Sequence, residues 1–454
     1  MSVETHPTTI QPDVAAQATS STGPVARVIA GSLAAGVAAA LVLTLVVFPG
    51  GTESVITGSV VLAFGFGWAL IAHLTGRYTN RPQRWAFVPA VAMGATGAAL
   101  LAFTPEYDAM SRMSWVWPPV VFALAVWMFV QMRRSLTGRG RWLLTPVIAV
   151  LALASLGATY ENIALTRDQG TYAAPGTTYD VGGHRLHLDC HGVGGPTVVL
   201  FNGLGEITAS WARVSGPVAG TTRVCAYDRA GQGWSEDADH PQDGIEAAQD
   251  LHNLLAAAGE TGPYVLVGHS TGGTYALNYA ARYPEQVAGM VLLDSSSPEQ
   301  LTEVAAYAGQ YAVMRRGLAL LPTVNRLGVG RMMSSSDLPA PAADQVRALT
   351  STARAARNGR DELSVVLDVF AQAQALTTLG DRPLAVLTTT ESLSGAGWDS
   401  AQNKLAGLST DHVHTTVDAT HAGVIADEAP AGESVLAITD VINAVRTGQR
   451  LDAK

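Results

Sequence analysis

The chain has 454 residues, with 28 Lys and Arg against 37 Asp and Glu, for a net charge of −9. That length exceeds one ordinary domain, so two or three folding units are expected. An acidic balance without a long basic run excludes a tract that could follow a phosphate backbone, and no nucleic-acid partner is expected.

Residues 1–24 are rich in Ser, Thr and Pro and read as a disordered cytoplasmic tail. Five apolar runs follow, Val28–Phe48, Val55–Leu74, Trp85–Phe103, Trp115–Met132 and Trp142–Tyr160, and none carries Asp, Glu, Lys or Arg. Each is close to the ~20 residues a helix needs to cross a hydrocarbon core. Residues 25–165 are therefore expected to be an all-α transmembrane region of five helices. A cleaved signal peptide is disfavoured, because Glu4 and Asp13 precede the first run in place of a basic start.

Arginines set the orientation, since short basic loops stay on the cytoplasmic side. The connections with Arg77, Arg81 and Arg84, and with Arg133, Arg134, Arg139 and Arg141, should lie inside. The alternate connections, Pro49–Glu53 and Pro105–Ser114, hold only Arg112 among basic residues and should lie outside. With a cytoplasmic amino terminus and five spans, everything after about Glu161 is expected on the outer face of the cell membrane. Trp85, Trp115, Trp117 and Trp142 sit at span ends, as interfacial anchors do. Only His73, near a span end, is ionisable within the spans, which favours an anchor over an ion pathway. Gly31 with Ala35, and Ala90, Gly94 and Ala98, form small-residue patches that would let helices approach closely.

Residues 166–177 read as a linker. Beyond it, short apolar strands alternate with helical stretches, the pattern of a mostly parallel α/β sheet. Eight strands are expected: Thr178–Val181, His184–Asp189, Thr197–Phe201, Arg223–Tyr227, Tyr264–Val267, Gly289–Asp294, Leu384–Thr388 and His412–Val417. Gly182-Gly183 marks a hairpin between the first two. Residues 298–380 form a long insertion with helical spacing, and residues 447–454 read as a tail.

Chemistry concentrates in "YVLVGHSTGGTYALNYA". Ser270 lies between Gly268 and Gly272, directly after a strand and before a helix, where a sharp turn would push its hydroxyl out over the sheet edge. "VVLFNGLGEITASW" places a glycine turn after another strand, and the main-chain amides of Leu204 and Thr271 are candidate donors to an oxyanion. "CAYDRAGQGWS" is a tight loop after a third strand, and "DATHAGVIADEAP" puts His421 just past the last one. His269, His184, His187 and His191 read as packing or surface residues. His412 and His414 share a strand face without a carboxylate or cysteine at metal-binding spacing, so no metal is expected. No glycine-rich nucleotide loop follows a strand, and no cofactor is expected.

The order of these motifs resembles that of the α/β-hydrolase superfamily over about Thr178 to Arg446. The resemblance implies an α/β-hydrolase fold at residues 178–446, with a helical cap formed by the 298–380 insertion. It also implies Ser270 as nucleophile, His421 as general base and a carboxylate to orient the histidine. Asp294, at the end of the sixth strand, is taken first for that acid; Glu391, after the seventh, is the alternative, and Asp399 and Asp411 are more distant options. Asn202 stands where many members have histidine, which leaves a side-chain role there open. The two cysteines, Cys190 and Cys225, fall on strands that neighbour each other in the family's sheet order, and a disulfide between them suits an extracytoplasmic domain. The expected activity is cleavage of an ester-like, small-molecule or lipidic substrate through an acyl-enzyme. The alternatives are a cofactor-free haloperoxidase or acyltransferase on the same triad, and a membrane sensor or scaffold that binds a ligand without turnover.

Overall fold

A computed structural model describes residues 23–451. The tail expected over residues 1–24 lies outside them but for its last two residues, as do the final three of the tail expected at 447–454. The chain divides into two units, one made of residues 1–48 and 54–156, the other of residues 49–53 and 157–454.

The first unit is helical: α1 (Gly23–Val42), α2 (Glu53–Tyr78), α3 (Phe87–Phe103), α4 (Tyr107–Met113), α5 (Trp117–Ser135) and α6 (Arg139–Thr171), whose last turns belong to the second unit. Four helical stretches are long and apolar enough to cross a membrane: Pro24–Val47, Glu53–Tyr78, Arg84–Phe103 and Arg139–Thr171. α4 and α5 make a fifth if the pair, bent by 51°, is one span. Outward-facing side chains such as Val46, Phe103 and Leu153 are apolar and exposed. Glycines bring three helices together: a Cβ on Gly36 would lie 3.3 Å from Gly67 Cα, and one on Gly65 would lie 2.6 Å from Gly94 N. Gly94 thus takes part in close packing, whereas the Cβ direction of Gly31 meets open space. Trp85 Nε1 lies 2.9 Å from Gln83 Oε1 and 3.0 Å from Ser135 Oγ, tying the two arginine-rich connections together. α6 runs on to Thr171, into residues read from the sequence as linker, because no proline or glycine interrupts Tyr160–Gln169.

The second unit is built on an eight-stranded sheet: β1 (Thr177–Asp180), β2 (Arg185–His191), β3 (Val198–Phe201), β4 (Val224–Tyr227), β5 (Tyr264–His269), β6 (Val287–Leu293), β7 (Leu384–Thr389) and β8 (His412–Val417). Their order across the sheet is β1-β2-β4-β3-β5-β6-β7-β8. β1 and β2 form the expected hairpin, β2 pairs antiparallel with β4, and the remaining pairings are parallel. β3, β4, β5 and β7 are buried along their whole length, as parallel strands covered on both faces are. Two apolar layers, one containing Leu266, Tyr279 and Leu292 and the other Val267, Trp211 and Ile438, lie on opposite faces. Cys190 stands directly opposite Cys225 in the β2–β4 register, and the two form a disulfide.

Between β6 and β7 the chain makes five helical segments, Gln300–Glu303, Tyr307–Arg326, Val329–Met333, Ala342–Thr350 and Ala353–Ala373. Within this unit Arg326 pairs with Glu53, and Arg331 reaches Glu161 at 2.9 Å and Asp168 at 2.6 Å. Val313, Met332 and Met333 are exposed on the same segment.

Candidate active site

The serine turn follows from its sequence. β5 runs straight into Ser270, and Thr271–Arg282 continues as a helix, so the chain reverses within one residue. Ser270 takes φ 55° and ψ −129°, a conformation that L side chains rarely adopt and that persists only where its surroundings enforce it. Those surroundings need glycine. A Cβ on Gly268 would lie 2.5 Å from Gly273 Cα, and one on Gly272 would collide with the carbonyl oxygen of Phe201. The second contact presses the turn after β3, which carries Leu204, against the serine elbow. Thr271 is the first residue of the elbow helix, where amides have no intrahelical acceptor.

Ser270, His421 and Asp294 are brought into one hydrogen-bonded chain. Ser270 Oγ lies 2.9 Å from His421 Nε2, and His421 Nδ1 lies 2.5 Å from Asp294 Oδ2. Asp294 follows β6 with φ 44° and is fully buried. It accepts further hydrogen bonds from Thr389 N at 2.9 Å, Thr389 Oγ1 at 3.0 Å and Ser392 Oγ at 2.6 Å. Burial alone would raise its pKa, but the donors from His421, Ser392 and Thr389 outweigh that and hold the carboxyl below its usual value. Asp294 is therefore ionised at neutral pH. The end of β7 and the turn after it contribute three donors to the acid rather than an acid to the histidine ring.

Glu391 does not meet the His421 ring. Its Oε2 accepts from the His421 main-chain amide at 2.5 Å, gripping the histidine loop by its backbone. Asp399 accepts from Asn403, and Asp411 from Leu451 N. The rings of His412 and His414 are engaged by Ser409 O and by Asn403 and Thr388 respectively.

The Asp228-Arg229-Ala230-Gly231-Gln232-Gly233 loop braces the turn after β3. Asp228 accepts from Thr208 N at 2.7 Å, Thr208 Oγ1 at 3.0 Å and Trp234 N at 3.1 Å, and its Oδ2 lies 3.0 Å from His187 Nδ1. Burial would raise its pKa, but His187, Thr208 and Trp234 hold it below the ordinary range. Arg229 donates to Asn202 O at 2.6 Å, lies 4.1 Å over the Tyr275 ring and pairs at 3.2 Å with Glu362 of the insertion. Asn202, open in the sequence reading, is a fastener: its Nδ2 donates to Tyr227 O at 2.9 Å and its Oδ1 accepts from Trp211 Nε1 at 2.8 Å.

Two residues at the site escaped the sequence reading. His269, read as packing, lies with its ring 4.8 Å from that of His421, and Glu206 places Oε1 2.5 Å from His269 Nδ1. The only signal available was a lone glutamate in the turn after β3, three residues beyond Gly203.

Residues 196–361 match a family model described as alpha/beta hydrolase fold. An uncharacterised protein of Schizosaccharomyces pombe is 26% identical over 303 residues, 59% of this chain and 53% of that protein. The uncharacterised protein YbdG of Bacillus subtilis is 26% identical over 180 residues, 39% of this chain and 55% of that protein. The chain thus spans about half the length of these curated relatives. Among solved structures, the enol-lactonase from Burkholderia xenovorans LB400 is similar at 19% identity and a TM-score of 0.43, covering 59% of this chain and 100% of that one. The family match over residues 196–361, together with the strand order and the strained serine turn, establishes that the sheet-bearing unit has the α/β-hydrolase fold.

Proposed function

We propose that this protein is a membrane-anchored serine hydrolase that cleaves ester-like substrates, small-molecule or lipidic, on the outer face of the membrane. The observation that carries the reading is the unbroken chain from Ser270 Oγ through His421 to Asp294. A buried, ionised acid fixes the imidazole with its Nδ1 proton toward Asp294, leaving Nε2 free to take the serine proton.

The reaction then runs in two steps. Ser270 Oγ attacks the carbonyl carbon while its proton passes to His421 Nε2, and the carbonyl electrons collect on oxygen, facing the amides of Leu204 and Thr271. Collapse expels the alcohol, which takes the proton from His421 and leaves an acyl-serine. Water loses a proton to His421 and adds to the acyl carbon; the bond to Ser270 Oγ then breaks, Oγ takes the proton back from His421, and the acid leaves.

Support for the anchor comes from the long apolar helices of the first unit, four with a bent pair as the fifth. Five crossings with basic connections inside would deliver the second unit to the outer face. The Cys190–Cys225 disulfide suits that oxidising side. The test is hydrolysis of 4-nitrophenyl acyl esters by the full chain in membranes, compared with Ser270→Ala. Turnover that disappears in the variant supports the reading. Equal, background-level hydrolysis by both points instead to a binding or sensor role.

A further inference from the structure

The imidazole of His269 closes β5, and its side chain is only 2% exposed. Its Nδ1 lies 2.5 Å from Glu206 Oε1, and its Nε2 lies 2.9 Å from the carbonyl oxygen of His421. Both neighbours are acceptors. A neutral imidazole has one donor nitrogen and one acceptor nitrogen, so it can satisfy only one of them. The arrangement needs a second proton, held between His269 and Glu206. Glu206 Oε2 also accepts from Gly203 N at 2.5 Å, which favours the charged carboxylate and places that proton on the histidine.

We propose that Glu206 and His269 are a positioning pair for the catalytic histidine: Glu206 holds His269 as an imidazolium, and the imidazolium grips the His421 carbonyl. The inference rests on the serine-hydrolase reading for its catalytic consequence, but not for the protonation it assigns. His421 is then held at three points, by Glu391 on its amide at 2.5 Å, by His269 on its carbonyl at 2.9 Å and by Asp294 on its ring at 2.5 Å. The same carboxylate reaches back to Gly203, so the turn after β3, the serine elbow and the histidine loop are fastened through one ion pair. The charged groups facing His269 are Glu206 and Asp294, and the His421 ring lies beside it. Burial would lower the His269 pKa, but the Glu206 carboxylate overrides it and raises it; burial would raise Glu206, and His269 overrides it and lowers it. Glu206 also offsets the repulsion that a cationic neighbour would otherwise exert on His421 when that residue takes the serine proton.

The experiment compares His269→Gln, which keeps a donor near the Nε2 position, with His269→Phe, which keeps volume but no donor. The readouts are the rate of inactivation by a fluorophosphonate probe and the kcat and KM for an aryl ester, on full-length protein whose folding is checked by thermal unfolding. Misplacing a catalytic group by about 1 Å costs roughly 10²-fold, so His269→Phe should lose about that much in kcat with KM little changed, and His269→Gln should recover most of it. In parallel, solid-state ¹⁵N spectra of histidine-labelled protein at pH 8 should show His269, assigned by its loss in His269→Gln, protonated on both ring nitrogens in wild type. In Glu206→Gln it should be protonated on only one. Equal rates for the two His269 variants, or a neutral His269 in wild type, overturn the proposal. A wild type that the probe never labels would sink the hydrolase reading, while the spectra would still decide whether the pair is ionised.

Discussion

Ser270 and Asp294 sit at the ends of adjacent strands, β5 and β6, and both hold a positive φ, 55° and 44°. His421 bridges them at 2.9 Å and 2.5 Å. Two strained residues facing one imidazole mean that the backbone, not side-chain freedom, sets this geometry.

The first prediction separates the two acids. Asp294→Asn leaves the shape but removes the charge that selects the histidine tautomer, and kcat should fall about 10⁴-fold. Glu391→Gln weakens only a hydrogen bond to the His421 amide, and its loss should stay within about tenfold to a hundredfold, the size of one charged hydrogen bond. Steady-state kinetics on both variants check this, and a larger loss for Glu391→Gln would reverse the assignment.

Backbone proximity gives the second. An added methyl at Gly272 meets the Phe201 carbonyl, so Gly272→Ala should destabilise the second unit by roughly 1–3 kcal/mol and abolish turnover. Gly432 lies inside the helix Glu428–Thr447 with nothing within 4 Å of an added Cβ. Gly432→Ala should stabilise by about 0.8 kcal/mol with activity intact. Denaturant titrations of both measure the contrast.

Removing the Cys190–Cys225 bridge, which closes a loop of sequence separation 35, should cost up to about 4 kcal/mol in the chain-entropy treatment. The double Ser variant and the reduced wild type should unfold at the same lowered midpoint. A reductant that leaves the wild-type midpoint unchanged would mean the thiols are not paired.

The buried His187–Asp228 pair predicts how stability varies with pH. Burial would lower the His187 pKa, but hydrogen bonding and charge from Asp228 raise it. A raised folded value contributes stability that is fully present below the unfolded value of about 6.5 and is lost as pH rises through the folded value. Asp228 is depressed, so its contribution is present above about 3.9 and is lost as pH falls through its folded value. Wild type should therefore lose stability relative to His187→Gln as pH rises above about 6.5. Parallel pH curves for the two proteins would contradict it.

Much of this arrangement was legible in the residues. All eight strands lie within three residues of their expected ends: the buried parallel ones are continuous apolar runs, and Gly182-Gly183 marks the hairpin of β1 and β2. Ser270 and His421 stood out because strand-end motifs carry their own local geometry. The acid remained divided between Asp294 and Glu391, since each follows a strand and only the fold decides which reaches the ring and which the amide. Glu206 and His269 were missed for the same reason: they are 63 positions apart, and nothing in either segment announces the other. Arg326 and Arg331 likewise meet Glu53, Glu161 and Asp168 only in the fold, since nothing in their own segment announces those partners.

The central claim is an activated serine at position 270. Full-length protein in membranes should be treated with a fluorophosphonate probe, digested and mapped by mass spectrometry, alongside Ser270→Ala and His421→Ala. The account predicts one adduct, on the peptide containing Ser270, absent from both variants. A folded wild type that takes no label, or an adduct that survives in Ser270→Ala, would contradict it.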